Sequence, residues 1–164
     1  MLSLLLFSSA LLSGLIAGLF YAYSCSVNLG LAKLSDREYL RAMKAINRAI
    51  LNPLFFISFL GTLVVIPVTA YVYFQNKGMD LSCALLILAS LVYGIGVFGV
   101  TIRGNVPLNE MLERLDLTTG AANYSQWRSN FEKPWNRLHT LRTILNIAAV
   151  ICILAVLIIN FDVS

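Results

Sequence analysis

Charge, sulfur and imidazole are all scarce in this chain. It has one histidine, three cysteines, and eight acidic residues against 12 Lys and Arg. A single histidine without any Cys-x-x-Cys pair leaves no ligand set for a structural zinc site. Cys25, Cys83 and Cys152 fall at different depths of the apolar segments described below, so no two are placed to close a disulfide. Charged residues make up 12% of the chain, hydrophobic ones 59%, and mean hydropathy is +0.79. That balance excludes an ordinary soluble domain. Also missing are an internal repeat, a low-complexity tract and a flexible linker.

What the chain does have is four apolar segments, at about 2–29, 53–74, 81–102 and 135–160. Each is long enough to cross a bilayer, which takes ~20 apolar residues as a helix. The expected fold is all-α: one domain over residues 1–164, a polytopic four-helix transmembrane bundle. The first segment has no Lys or Arg ahead of it and outruns a signal-peptide core, so it reads as a retained helix. The net charge of +4 needs no nucleic-acid partner. Lys33, Arg37, Arg41, Lys44 and Arg48 fill the first connection, and Arg103, Arg114, Arg128, Lys133 and Arg137 the third; the second has only Lys77. The positive-inside rule puts the first and third connections in the cytoplasm and both termini outside, as in a bacterial inner (plasma) membrane.

The connections carry helical signals of their own. Ser35 and Glu38 match a capping box, with Leu34 and Tyr39 placed as a hydrophobic staple. Beyond them Leu40, Met43, Ile46 and Ile50 form an apolar face opposite the basic residues. This predicts an amphipathic cytoplasmic helix between helices 1 and 2, lying on the membrane or capping the bundle. Asn47 falls on the apolar face. Asn52 followed by Pro53 predicts the N-cap and first position of helix 2. Between helices 3 and 4 the connection is again helical, broken at Thr118-Thr119-Gly120, and Pro134 is placed to start the last helix.

Polar residues ride on the apolar helices at helical spacing. In the last helix Trp135, His139, Arg142 and Asn146 share one stripe; turning His, Arg and Asn to lipid costs a few kcal/mol each, so the stripe faces inward. Helix 1 offers Gly14, Gly18, Tyr21, Cys25 and Asn28 on one face. Its Gly14-x-x-x-Gly18 permits close approach of a neighbouring helix or of a second copy of the chain. Helix 3 offers Gly96, Gly99 and Arg103, with packing the favoured use of the glycines, and Asn105 and Asn109 follow. Glu110, Glu113 and Asp116 are the nearest carboxylates. Pairing with Arg103 and Arg142 is the favoured reading; otherwise two inward arginines await an anionic or oxygen-rich ligand. Asn28, Asn47, Arg103, Asn105, Asn109, His139, Arg142 and Asn146, with Trp127 and Trp135, all lie towards the same end. They make either a polar layer that fixes helix register or a site for a flat, membrane-partitioning aromatic that carries oxygens.

The series Met43-x-x-Ile46-Asn47-x-x-Ile50-x-Asn52-Pro53, then Asn105-x-Pro107-x-Asn109, then Trp127, Trp135 and Arg142, resembles the anthrone-oxygenase-like family of small four-helix membrane proteins. The likeness runs in order along nearly the whole chain; it departs at His139-Thr140, between the last Trp and Arg, where Asn or His commonly stands in the family. The resemblance implies oxidation of an anthrone-type or other phenolic aromatic to a quinone by oxygen, with no metal or flavin cofactor. On these residues His139 is the candidate base. Arg142 and Arg103 are the candidate oxyanion stabilisers, and Asn28, Asn47, Asn105, Asn109, Asn146, Trp127 and Trp135 the candidate substrate contacts. A binding or transport protein for an amphiphilic aromatic or a lipid, and a structural or assembly partner, are the alternatives.

Overall fold

The computed structural model describes residues 1–117 and 123–161, and only the backbone of Phe161; the Thr118-Thr119-Gly120 break lies outside them. The described residues form five helices and no strand. They are α1 (Leu2–Leu31), α2 (Asp36–Ala49), α3 (Pro53–Lys77), α4 (Leu81–Glu113) and α5 (Tyr124–Phe161). Apart from α2, each is long and apolar enough to cross a membrane. α1 packs on α3 and α5, and α4 packs on the same two, so α1 and α4 sit diagonally across the bundle.

The helix starts are local chemistry. Glu38 accepts hydrogen bonds from the Ser35 amide at 3.1 Å and from the Ser35 hydroxyl at 2.6 Å, and opens α2. Asn52 accepts from the Phe55 amide at 3.1 Å ahead of Pro53, as its position requires. α2 caps the bundle instead of lying apart from it. Its Tyr39, Leu40 and Met43 are buried against Leu112 and Leu115 near the end of α4, and against Phe131 and Trp135 of α5. Where helices meet outside the bilayer, burial of each large apolar side chain contributes roughly 1.5–3 kcal/mol. Arg128 fastens this cap: it donates to the Leu34 carbonyl at 2.8 Å and the Ala32 carbonyl at 3.0 Å, and pairs with Asp36.

Within the spans, lipid is as apolar as leucine, so close packing does the work. A Cβ on Gly96 would lie 2.7 Å from Leu145, and one on Gly104 would lie 2.8 Å from Leu138, so α4 meets α5 through these glycines. Three expectations need correction. Pro134 does not start the last helix; α5 is continuous from Tyr124 and carries Pro134 inside it, an arrangement that neighbouring helices make tolerable. The inward face of α1 is Leu6, Ser9, Ser13, Ile16 and Phe20; Gly18, Tyr21 and Cys25 are exposed, and nothing lies within 4 Å of a Cβ built on Gly14 or Gly18. The third concerns Arg103, because α4 does not keep the α-helical period: Val92–Gly99 and Thr101–Asn105 are π-helical.

Candidate functional site

At the end of the bundle under α2, a cavity of about 100 Å³ is enclosed by all four spans and the cap. Of the residues singled out by sequence, Asn47, Asn109, Trp135, His139 and Arg142 line it, together with Phe20, Tyr23 and Thr101. The whole stripe Trp135, His139, Arg142 and Asn146 is buried.

Its centre is a guanidinium set against an imidazole. One Arg142 terminal nitrogen lies 3.2 Å from His139 Nδ1, and the other donates to Thr101 Oγ1 at 3.3 Å. A guanidinium can only donate, so Nδ1 accepts and the ring proton sits on Nε2. There the Phe20 carbonyl and Ser24 Oγ are each 3.1 Å away. Ser24 in turn donates to the same carbonyl at 3.1 Å. This contact falls where α1 widens into the π-helical turn Tyr23–Val27, a feature that often marks functional sites.

Aromatic rings wall the pair. The Trp135 and His139 rings stack with centroids 5.1 Å apart and planes 9° from parallel. The Arg142 guanidinium carbon sits 4.4 Å from the Phe20 ring centroid and 5.3 Å from that of Trp135, the geometry of cation–π contact. Trp135 is held in turn: its Nε1 donates to Asn109 Oδ1 at 2.9 Å, and Asn105 Nδ2 donates to its carbonyl at 3.3 Å.

Arg142 is only 8% exposed, and a charge so buried costs several kcal/mol unless partnered. The expected pairing with carboxylates is not found among the ion pairs of the described residues. Among the described residues the ion pairs are Arg48–Glu113, Arg128–Asp36 and Arg128–Glu132, and neither Arg142 nor Arg103 takes part in any of them. Arg142 Nε has no hydrogen-bond partner, and neither does Asn47 Nδ2; both are buried donors on residues that line the cavity. No group of three His, Cys, Asp or Glu side chains fit to hold a metal occurs among the described residues.

Five of the expected residues stand elsewhere, among them Asn105, which holds the Trp135 carbonyl without lining the cavity. Arg103 is exposed and lines an open groove on the outside of α4, because the π-helical turns rotate it away from the phase that an α-helix would give. Trp127 packs beside the α2 cap, outside the cavity. Asn28 is half-buried and does not line the cavity. Asn146 is fully buried below Arg142, with both side-chain polar atoms unpartnered. Sequence reasoning missed Phe20, Tyr23, Ser24 and Thr101. The signal available for Ser24 and Thr101 was a hydroxyl near the polar end of an apolar helix, which the many back-bonded Ser and Thr of such helices obscure.

The comparisons with known proteins fit this picture. The sequence profile of a family described as anthrone oxygenase matches residues 55–152, which include Thr101, Asn109, Trp135, His139 and Arg142. No curated protein and no solved structure matches the chain.

Proposed function

The chain belongs to the anthrone oxygenase family, and from that premise we propose that it oxidises an anthrone-like or other phenolic aromatic to a quinone at the His139–Arg142 cavity. The observation that carries this reading is the buried guanidinium with an unpartnered Nε, beside an imidazole and between aromatic rings. Such a place favours an anionic oxygen on a flat ring. Asn47 Nδ2, the second unpartnered donor on the cavity, offers a hydrogen bond to another oxygen of the same molecule.

The reaction balances without a further reductant. The ring methylene loses one proton to a base, and Arg142 takes up the charge that moves to the ring oxygen. The enolate reduces oxygen and forms a hydroperoxide at that carbon. Loss of the second C–H proton with cleavage of the O–O bond leaves a carbonyl and releases one water. His139 is the proposed base, and its resting partner sets a condition: the Nδ1 lone pair accepts from Arg142. Substrate oxygen therefore has to draw Arg142 away, and the same shift that binds the oxyanion exposes the base.

At about 100 Å³ the cavity is smaller than the roughly 300–1,000 Å³ of ligand pockets, so entry displaces its rim. Leu51, in the connection between α2 and α3, lines the cavity and is 65% exposed, and this connection is the proposed way in. We orient the chain with its basic connections in the cytoplasm and both termini outside, in a bacterial plasma membrane. The test is oxygen uptake by the detergent-purified protein given an anthrone, with a chelator present and buffer alone as the autoxidation control. Uptake above autoxidation that survives the chelator and disappears in Arg142→Ala is the expected result. Uptake at the autoxidation rate, with the anthrone still quenching tryptophan fluorescence in a Trp127→Phe variant, would leave a binding protein and overturn the oxygenase reading.

A further inference from the structure

We propose that the groove on the outer face of α4 binds an anionic phospholipid, its acyl chain lying over Gly94 and Gly99 and its phosphate meeting Arg103. The groove is about 620 Å³ in volume and lies outside the cavity; Leu138 borders it, while the next residue, His139, faces the cavity. Its form follows from the backbone. Gly94, Gly99 and Gly104 all border it, on a stretch of α4 that is mostly π-helical. The missing side chains at these positions leave the groove open between Phe98, Val100 and Leu138. Ile95, 72% exposed, and Ile102, 46% exposed, also border it.

Charge selects the occupant. Arg103 stands on α4 just past its apolar run 81–102, is exposed, and enters no ion pair among the described residues. A guanidinium on a lipid-facing surface needs an anion or a path to the interface. The molecule that brings an apolar chain and an anion together in a bilayer is a phospholipid. The same end of the bundle also exposes Lys133 and Arg137 on α5, which oppose a headgroup ammonium and favour net negative charge.

The experiment is native mass spectrometry of the full chain from nanodiscs of equimolar phosphatidylglycerol and phosphatidylcholine. Wild type should retain phosphatidylglycerol about fivefold over phosphatidylcholine, the effect of one interfacial cation. Arg103→Gln should lose that preference while still retaining lipid. Gly99→Leu should retain less lipid of either kind. A Cβ at Gly99 would make only ordinary contact, 3.5 Å from the Gly94 carbonyl oxygen, so the added side chain fills the groove without displacing the backbone; helical circular dichroism and melting check both variants. Equal retention of the two lipids by wild type would overturn the proposal, as would an undiminished preference in Arg103→Gln. So would a cross-linkable dimer lost in Gly99→Leu, which would make a second copy the occupant.

Discussion

The two ends of this bundle are built from similar residues to opposite effect. At the end remote from α2, Asp80 accepts from the Cys83 amide at 2.8 Å and from the Tyr73 hydroxyl at 2.9 Å. Lys77 donates to Asn160 at 2.6 Å, and Asn160 donates to Ser82 at 3.3 Å and to the Val156 carbonyl at 2.9 Å. None of these side chains has a buried polar atom without a partner. Under α2 Asn105, Arg142 and Asn146 are buried more deeply, yet they and Asn47 each keep at least one buried atom unpartnered. A closed network binds helices together. An open one leaves donors and acceptors stranded at about 1–3 kcal/mol each, a cost that the proposed function accounts for by a ligand.

That contrast is broken most severely at His139. His139→Ala should lower oxygen uptake with an anthrone by about 10²–10⁴, the range for a general base. A loss under tenfold would remove it from that role. Arg142→Met comes next, with uptake down by about 10²–10³ for a missing oxyanion donor. Its melting temperature should hold or rise, because an apolar side chain replaces a buried charge that forms no ion pair. A collapse in melting temperature would instead make Arg142 a structural clasp like those of the remote end.

The remote end should respond in the reverse sense. Asp80→Ala removes an N-cap and should cost about 0.5–2 kcal/mol of stability while leaving uptake unchanged. Hydrogen bonding from the Cys83 amide, assisted by Tyr73, holds the Asp80 carboxyl below the usual carboxylate range. Its contribution is therefore full above the unfolded value of about 3.9 and is lost as pH falls through the lower folded value. Melting curves below about pH 4 should fall more steeply for wild type than for Asp80→Asn.

How much of this was legible in the sequence follows from where water gives contrast. α2 lies between water and the bundle, so Leu40 and Met43 against Arg41 and Arg48 mark its faces, and Ser35 and Asn52 mark the helix starts. The α5 stripe was legible because burying Arg142 and His139 has a large energetic sign. α1 has no such contrast: Leu15 faces lipid and Ile16 faces the core, and both are equally apolar. Its phase is set by the fit of Ser9 against Thr69, whose hydroxyls meet at 2.9 Å, and no spacing rule announces that. In α4 the period itself changes, so a face drawn through Gly96, Gly99 and Arg103 at α-helical spacing could not hold. The turn that carries Arg103 outward also carries Asn105 inward beneath Trp135.

The smallest predicted effect tests whether the open network is one unit. Asn146 is fully buried, lies one turn from Arg142 on the same face, and has neither amide atom partnered, yet it does not line the cavity. If it only strands two polar atoms, Asn146→Leu removes that cost and should raise stability by about 1 kcal/mol or less after repacking, with uptake within about threefold of wild type. A double-mutant cycle with Arg142→Met separates the cases, since residues that share a network couple by about 0.5–3 kcal/mol and independent ones add. Additive melting temperatures would confine the ligand-ready set to Arg142 and Asn47. Strong coupling, with uptake falling in Asn146→Leu alone, would extend the site a full turn deeper into the membrane.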